Sequence, residues 1–155
     1  MTTLPGKILF AEDNPHDVEM TLDAFSEHHI GNDIVVVSDG QEALDYLFAE
    51  GRFAGREPGD PILVLLDLKM PKITGLEVLR VIKRHERLRT LPVVMLTSSR
   101  EEQDLVQSYQ LGVNAYIVKP VGVPAFIEAV KNLGVFWVIH NTLPRPAAQS
   151  PVGPP

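Results

Sequence analysis

The chain has 155 residues, 45% hydrophobic and 22% charged, and its 14 Lys and Arg against 20 Asp and Glu leave a formal net charge of −6. That length buries a full core as one soluble domain, and the absence of cysteine removes disulfides, thiolate catalysis and Cys-ligated metal centres. The acidic balance argues against a protein that coats nucleic acid. No apolar run reaches the roughly eighteen residues of a membrane span, and the start Met1 to Lys7 lacks a basic-then-apolar leader, so the cytoplasm is the expected compartment.

Ile8-Leu9-Phe10-Ala11 is the first of several short apolar runs. Pro15 then suits the first turn of a helix, along which Val18, Leu22 and Phe25 fall on one stripe. Ile34 to Val37 reads as a second strand, and Leu44, Leu47 and Phe48 mark a second helix. A Gly-rich, charged connection from Glu50 to Pro61 follows, longer than the usual link between a helix and a strand. Ile62 to Leu66 is the third apolar run, and after Gly75 the residues Leu76, Leu79, Val81 and Ile82 predict a third helix. Val93 to Leu96 is followed, after Ser99, by a more polar helix with Leu105, Val106 and Tyr109 as its main apolar residues. Ala115 to Val118 completes the strands. The fifth helix carries Phe126, Val130, Leu133 and Trp137 on one stripe, while Ile127, Val135, Phe136, Val138 and Ile139 make its last turns apolar nearly all round.

None of these runs alternates apolar with polar residues. They suit strands covered on both faces, joined by crossover helices, which predicts an α/β domain with a parallel five-stranded sheet. Residues 1–5 form a short arm. The Pro-rich stretch from Pro144, within 141–155, carries almost nothing to bury and is expected to be disordered.

In an open parallel sheet, ligands bind beyond the carboxyl ends of the strands, where strand order reverses. Glu12 and Asp13 end the first strand, Asp67 the third, Thr97 the fourth and Lys119 the fifth. If these strands are neighbours, three carboxylates, a hydroxyl and an ammonium share one crevice. Two like charges 4 Å apart repel by about 4 kcal/mol at an effective dielectric near 20, so the trio requires a cation. With only oxygen ligands on offer, that cation is expected to be Mg²⁺, with Mn²⁺ able to replace it, and a magnesium so held meets a phosphate at its open positions. Each residue alone has a plainer reading. Glu12 to Asn14, Asp67 and Thr97 can cap helices, and a lone lysine is usually a solvated charge. Their coincidence at one sheet edge favours the phosphoryl site.

The segments Ile8 to Asn14, Leu65 to Pro71 with Gly75, Val93 to Ser98, and Ala115 to Pro120 together resemble the receiver domain of two-component response regulators, over about residues 6–140. The resemblance implies a flavodoxin-like (βα)5 fold with strand order 2-1-3-4-5. It makes Asp67 the acceptor of a phosphoryl group from a phosphohistidine on a sensor histidine kinase. Asp13 and Asp67 would hold Mg²⁺ directly, Glu12 through water, and the Lys69 carbonyl would complete the protein ligands. Lys119 would meet the phosphoryl oxygens, Lys119-Pro120 would be a cis peptide, and small Ser98 would leave the site open. Thr97 and Tyr116 would form the switch. Such a protein is a phosphoacceptor that assists its own loading and unloading, rather than a turnover enzyme.

Only the tail from Pro144 follows the receiver, so the output is expected to be another protein. A homodimer through helix four, strand five and helix five is predicted, with Tyr109, Phe126, Ile127, Val130, Phe136 and Trp137 as the dimer or partner surface. The long connection after Phe48, the stretch Ser108 to Tyr116 and Phe136-Trp137 resemble the single-domain regulators paired with bacteriophytochrome kinases. Two other classes compete. An aspartate-nucleophile phosphatase would need a second acid two residues after Asp67, where Lys69 stands. A phosphorylation-independent adaptor would have no use for the acidic trio.

Overall fold

All five apolar runs are strands in the computed structural model, which describes residues 6–99, 107, 110, 111, 113, 115–134 and 139. They are β1 (Ile8–Ala11), β2 (Ile34–Val37), β3 (Leu63–Asp67), β4 (Val93–Thr97) and β5 (Ala115–Val118). All pair in parallel, in the order β2-β1-β3-β4-β5 that the family resemblance implied. Between and after them lie α1 (Pro15–Glu27), α2 (Gly40–Phe48), α3 (Gly75–Arg84) and α4 (Val123–Asn132). Of the polar helix expected after Ser99, Gln107 and Gln110 are helical and the Leu111 amide donates to Gln107 at 3.0 Å, while Leu105, Val106 and Tyr109, the arm 1–5 and the tail 141–155 lie outside the described residues.

Apart from Asp67 and Thr97 at the ends of β3 and β4, the strands are apolar because both faces are covered. Leu9, Ala11, Val64, Leu66, Val93 and Met95 join the side chains of α2 and α3, while Ile8, Phe10, Leu63, Leu65, Val94 and Leu96 meet α1 and α4. Successive residues thus enter opposite cores, the period of two expected of a pleated strand. At the sheet edge, three of the four residues of β2 are only half-buried.

Two helical stripes differ from expectation. On α1 the fully buried residues are Thr21 and Phe25, with Val18 packed beside them, so the inward face is turned and Leu22 is half-buried. The fifth predicted helix, α4, ends at Asn132 with Leu133 as its cap, and Gly134 follows at φ 78°. A glycine in the left-handed region is a common helix stop, and the helix is closed here, short of the stretch the apolar residues suggested. Phe126 and Val130, assigned above to a dimer or partner surface, are 0% exposed. They face the sheet core, with the Phe126 ring 4.6 Å from that of Phe25, because a stripe at helical spacing buries against its own sheet first. Ile127 is half-buried, and Tyr109, Phe136 and Trp137 lie outside the described residues.

The long connection between α2 and β3 begins with a short 3-10 turn, Gly51–Phe53. Two arginines tie it to the end of α2. Arg56 stacks on Tyr46 and donates to the carbonyls of Tyr46 at 2.6 Å and Gly59 at 2.9 Å, while Arg87 donates to Leu47 at 3.0 Å and pairs with Asp60. Guanidinium donors thereby add hydrogen bonds to carbonyls of the last turn of α2, where positive charge is favoured.

Gly75 fixes the approach of α3 to the end of β3. A Cβ there would stand 2.1 Å from the carbonyl oxygen of Asp67, a backbone atom that cannot turn aside. Gly75→Ala is therefore expected to destabilise the protein by about 1–3 kcal/mol, as overpacking does, measured by denaturant unfolding.

Candidate functional site

The strand order reverses at β1, whose neighbours are β2 and β3, and the acidic residues cluster beyond these carboxyl ends. Ladder hydrogen bonds continue one residue past the strands and fix the backbone of the site. The Glu12 amide donates to Val37 at 3.0 Å, that of Leu68 to Leu96 at 3.0 Å, and that of Lys119 to Thr97 at 2.7 Å. The Lys119–Pro120 bond is cis.

Capping, the plainer reading of these polar residues, holds for Asn14. Asn14 caps α1, its Oδ1 accepting from His16 and Asp17, and Thr74 caps α3 in a reciprocal box with Glu77. Glu12 instead accepts from the Asn14 amide at 3.2 Å, and Asp67 ends its strand at 4% exposure. Carboxylate oxygens of Glu12, Asp13 and Asp67 lie within 4.8 Å of one another. Glu12 is buried and Asp13 exposed, so the cluster opens to solvent on one side only.

Lys119 reaches across the cluster. Its Nζ stands 3.1 Å from Asp17 Oδ2, 3.2 Å from Glu12 Oε1 and 3.4 Å from Asp67 Oδ1. Glu12, Asp13, Asn14, Asp17, Asp67, Lys69, Ser98 and Lys119 line a crevice of about 160 Å³. The space suits an ion and a phosphoryl group rather than a large substrate.

Burial pushes the Asp67 carboxyl up to about 7, with repulsion from Glu12 adding to it and Lys119 opposing it. For Lys119, burial alone would lower the pKa, but the attraction of Asp67, Asp17 and Glu12 outweighs it and holds the ammonium above its usual range. Lys119 thus offsets the burial of Asp67 only in part, and the Asp67 carboxyl still resists ionisation. All the donors are oxygens, two acids are buried, and the third opens to water, so the residues fit a small hard dication.

Thr97 ends β4 at 1% exposure, and among the described residues its hydroxyl has no hydrogen-bond partner. A buried orphan hydroxyl costs free energy, and Thr97→Val is expected to raise unfolding stability by about 1 kcal/mol. Chemical denaturation of the unloaded protein measures this. Tyr116, on β5, is half-buried and packs against the core on the α2 and α3 side.

The residue-by-residue reading overlooked Asp17. It occupies the third position of α1, three residues after its cap, where an acid ordinarily serves the helix end, and nothing in its spacing points to Lys119.

The response regulator receiver domain family matches residues 8–131. The solved bacteriophytochrome response regulator AtBRR is 57% identical, with a TM-score of 0.82, covering 88% of this chain and 96% of its own. Response regulator Rcp1 of Synechocystis is 34% identical over 140 residues, 90% of this chain and 94% of its own. The structure of its Mn²⁺-bound form superposes with a TM-score of 0.69. The phosphorylated cyanobacterial phytochrome response regulator RcpA is 40% identical, with a TM-score of 0.70, covering 90% of this chain and 98% of its own. With the acids, the hydroxyl and the lysine gathered at the strand ends, these matches make the chain a member of the response regulator receiver domain family.

Proposed function

We propose that Asp67 accepts a phosphoryl group from a phosphohistidine on a sensor histidine kinase, and that the loaded protein signals through Thr97 and Tyr116. The observation that carries this reading is the meeting of Glu12, Asp13 and Asp67 within 4.8 Å, with Lys119 at 3.4 Å from the Asp67 carboxylate. An Asp67 oxygen attacks phosphorus, the bond from phosphorus to the imidazole nitrogen breaks, and the electron pair leaves on that nitrogen. Lys119 faces the oxygens of the transferring group as a fixed positive charge. Asp13 and Asp67 would hold a Mg²⁺ ion, with Glu12 beside them and the Lys69 carbonyl completing the protein's share. A dication there, Mg²⁺ or the Mn²⁺ that Rcp1 was solved with, would supply charge withdrawal from the phosphoryl group. The protein acts as a stoichiometric phosphoacceptor, and the place two residues after Asp67, where a phosphatase of this type needs an acid, holds Lys69.

The orphan Thr97 hydroxyl is the natural reporter of loading, since a phosphoryl oxygen gives it a charged acceptor. Tyr116 turns toward the space it vacates. Moving a population from 1:99 to 99:1 takes about 5.5 kcal/mol, and two hydrogen bonds to charged groups at about 1.5–3 kcal/mol each approach that.

The kinase is of the bacteriophytochrome type, supported by the 57% identity to AtBRR over 88% of the chain. The exchange takes place in the cytoplasm, and among the described residues no helix is long and apolar enough to cross a membrane. The receiver occupies 6–140. The active form is a homodimer through the segment after Ser99, β5 and α4. With Phe126 and Val130 buried, the described part of that surface reduces to Ile127 and a groove beside edge strand β5 lined by Tyr116, Val118, Ala125 and Asn132. Incubation with acetyl phosphate and Mg²⁺, followed by intact mass and molecular size, tests the reading. Wild type gains one phosphoryl and Asp67→Asn none, and a wild type that stays unmodified refutes it. A size unchanged by loading removes the phosphorylation-driven dimer.

A further inference from the structure

Each of three helices carries an acid at its third position. In α3, Glu77 Oε1 accepts from the Thr74 amide at 2.9 Å, and in α2, Glu42 Oε1 accepts from the Ser38 amide at 2.9 Å. Both acids serve the backbone at their own helix start. In α1 the cap is Asn14, and its amide donates to Glu12, not to Asp17. Asp17 is thereby released from capping, and its carboxylate makes the shortest ion pair of Lys119, at 3.1 Å.

We propose that Asp17 is a positioning residue that sets the resting place of the Lys119 ammonium and competes with the phosphoryl group for it. This rests on Asp67 being the acceptor. An ammonium has three N–H donors, and here Lys119 faces three carboxylates, those of Asp17, Glu12 and Asp67. A phosphoryl group arriving on Asp67 brings further oxygens, so one of these contacts has to be given up. Glu12 is 1% exposed at its side chain and its oxygens would stay desolvated, whereas Asp17 is 31% exposed and water replaces its lost partner. Asp17 is therefore the partner released. Its hold on the lysine is present before loading and lost after it, which weakens the grip on the phosphoryl group.

The test is titration of beryllium fluoride, a tetrahedral stand-in for phosphoryl, in saturating Mg²⁺, on wild type, Asp17→Asn, Lys119→Met and the double variant. Asp17→Asn is expected to bind about fivefold more tightly than wild type, the weight of one partly exposed ion pair, and to make no difference in the Lys119→Met background. Should Lys119→Met fail to fold, the ¹⁵N resonance of the Lys119 ammonium without the analogue decides, since Asp17→Asn shifts it while leaving the other lysine ammonium signals in place. An unchanged or weaker affinity in Asp17→Asn, the same gain with and without Lys119, or an unmoved Lys119 signal overturns the proposal. If wild type binds no beryllium fluoride and takes no phosphoryl from acetyl phosphate, the phosphoacceptor reading fails and this inference falls with it.

Discussion

Asp67→Asn is expected to stabilise the unloaded protein at neutral pH by about 2 kcal/mol, the order of cost of a poorly compensated buried charge, while abolishing phosphoryl uptake. The cause is the environment of the carboxylate, which is 4% exposed and faces Glu12. Its carboxyl is raised from 3.8 to about 7, so between those values the folded protein keeps a proton that the unfolded chain has released. Stability therefore falls as pH rises through this window, because the native state binds more protons there than the unfolded one. Wild type and Asp67→Asn should be closest near the acid end and furthest apart above about pH 7. Unfolding followed by circular dichroism at several pH values measures the gap, which at neutral pH corresponds to roughly 5 °C in melting temperature. Saturating Mg²⁺ should narrow it, since an ion that binds only the folded wild-type site adds stability by mass action. A variant no more stable than wild type at pH 8 would mean that the carboxylate trio is already relaxed.

The sheet was legible because its strands carry a signal that depends on little else. A run such as Leu63 to Leu66, 0% exposed throughout, is apolar at consecutive positions because cores cover both of its faces. The acidic cluster was legible for a related reason, since Glu12, Asp13 and Asp67 directly end or follow such runs and strand ends in a parallel sheet converge. Phe126 and Val130 were misread because periodicity reports that a face is buried, and not by what. Gly134 marks the stop of α4, a local signal outweighed by the apolar residues beyond it. Asp17 was invisible for a different reason. Its partner lies 102 residues away, and only the diversion of the Asn14 amide to Glu12 frees it from the role its position in the helix suggests.

Lys119→Met should have the opposite sign from Asp67→Asn. Removing the ammonium leaves Glu12 at 1% exposure beside Asp67 at 6%, measured on their side chains, without the counter-charge that both now contact. Breaking a buried ion pair by deleting one partner costs about 3–5 kcal/mol, and because Lys119 keeps some solvent contact a loss of about 2–3 kcal/mol is expected in metal-free buffer. Two features separate this electrostatic loss from a simple packing defect. Mg²⁺ should recover most of it, since a dication replaces the missing charge at the same carboxylates, whereas the methionine stem already restores the volume of the lysine chain. Asp67→Asn added to Lys119→Met should also recover stability, by more than it gains in wild type, because without the lysine the buried carboxylate faces the acids Glu12 and Asp13 with that counter-charge gone. A double-mutant cycle of unfolding free energies, with and without Mg²⁺, measures both effects. If the two substitutions add independently and the metal recovers nothing, Lys119 does not act as the counter-charge of Asp67.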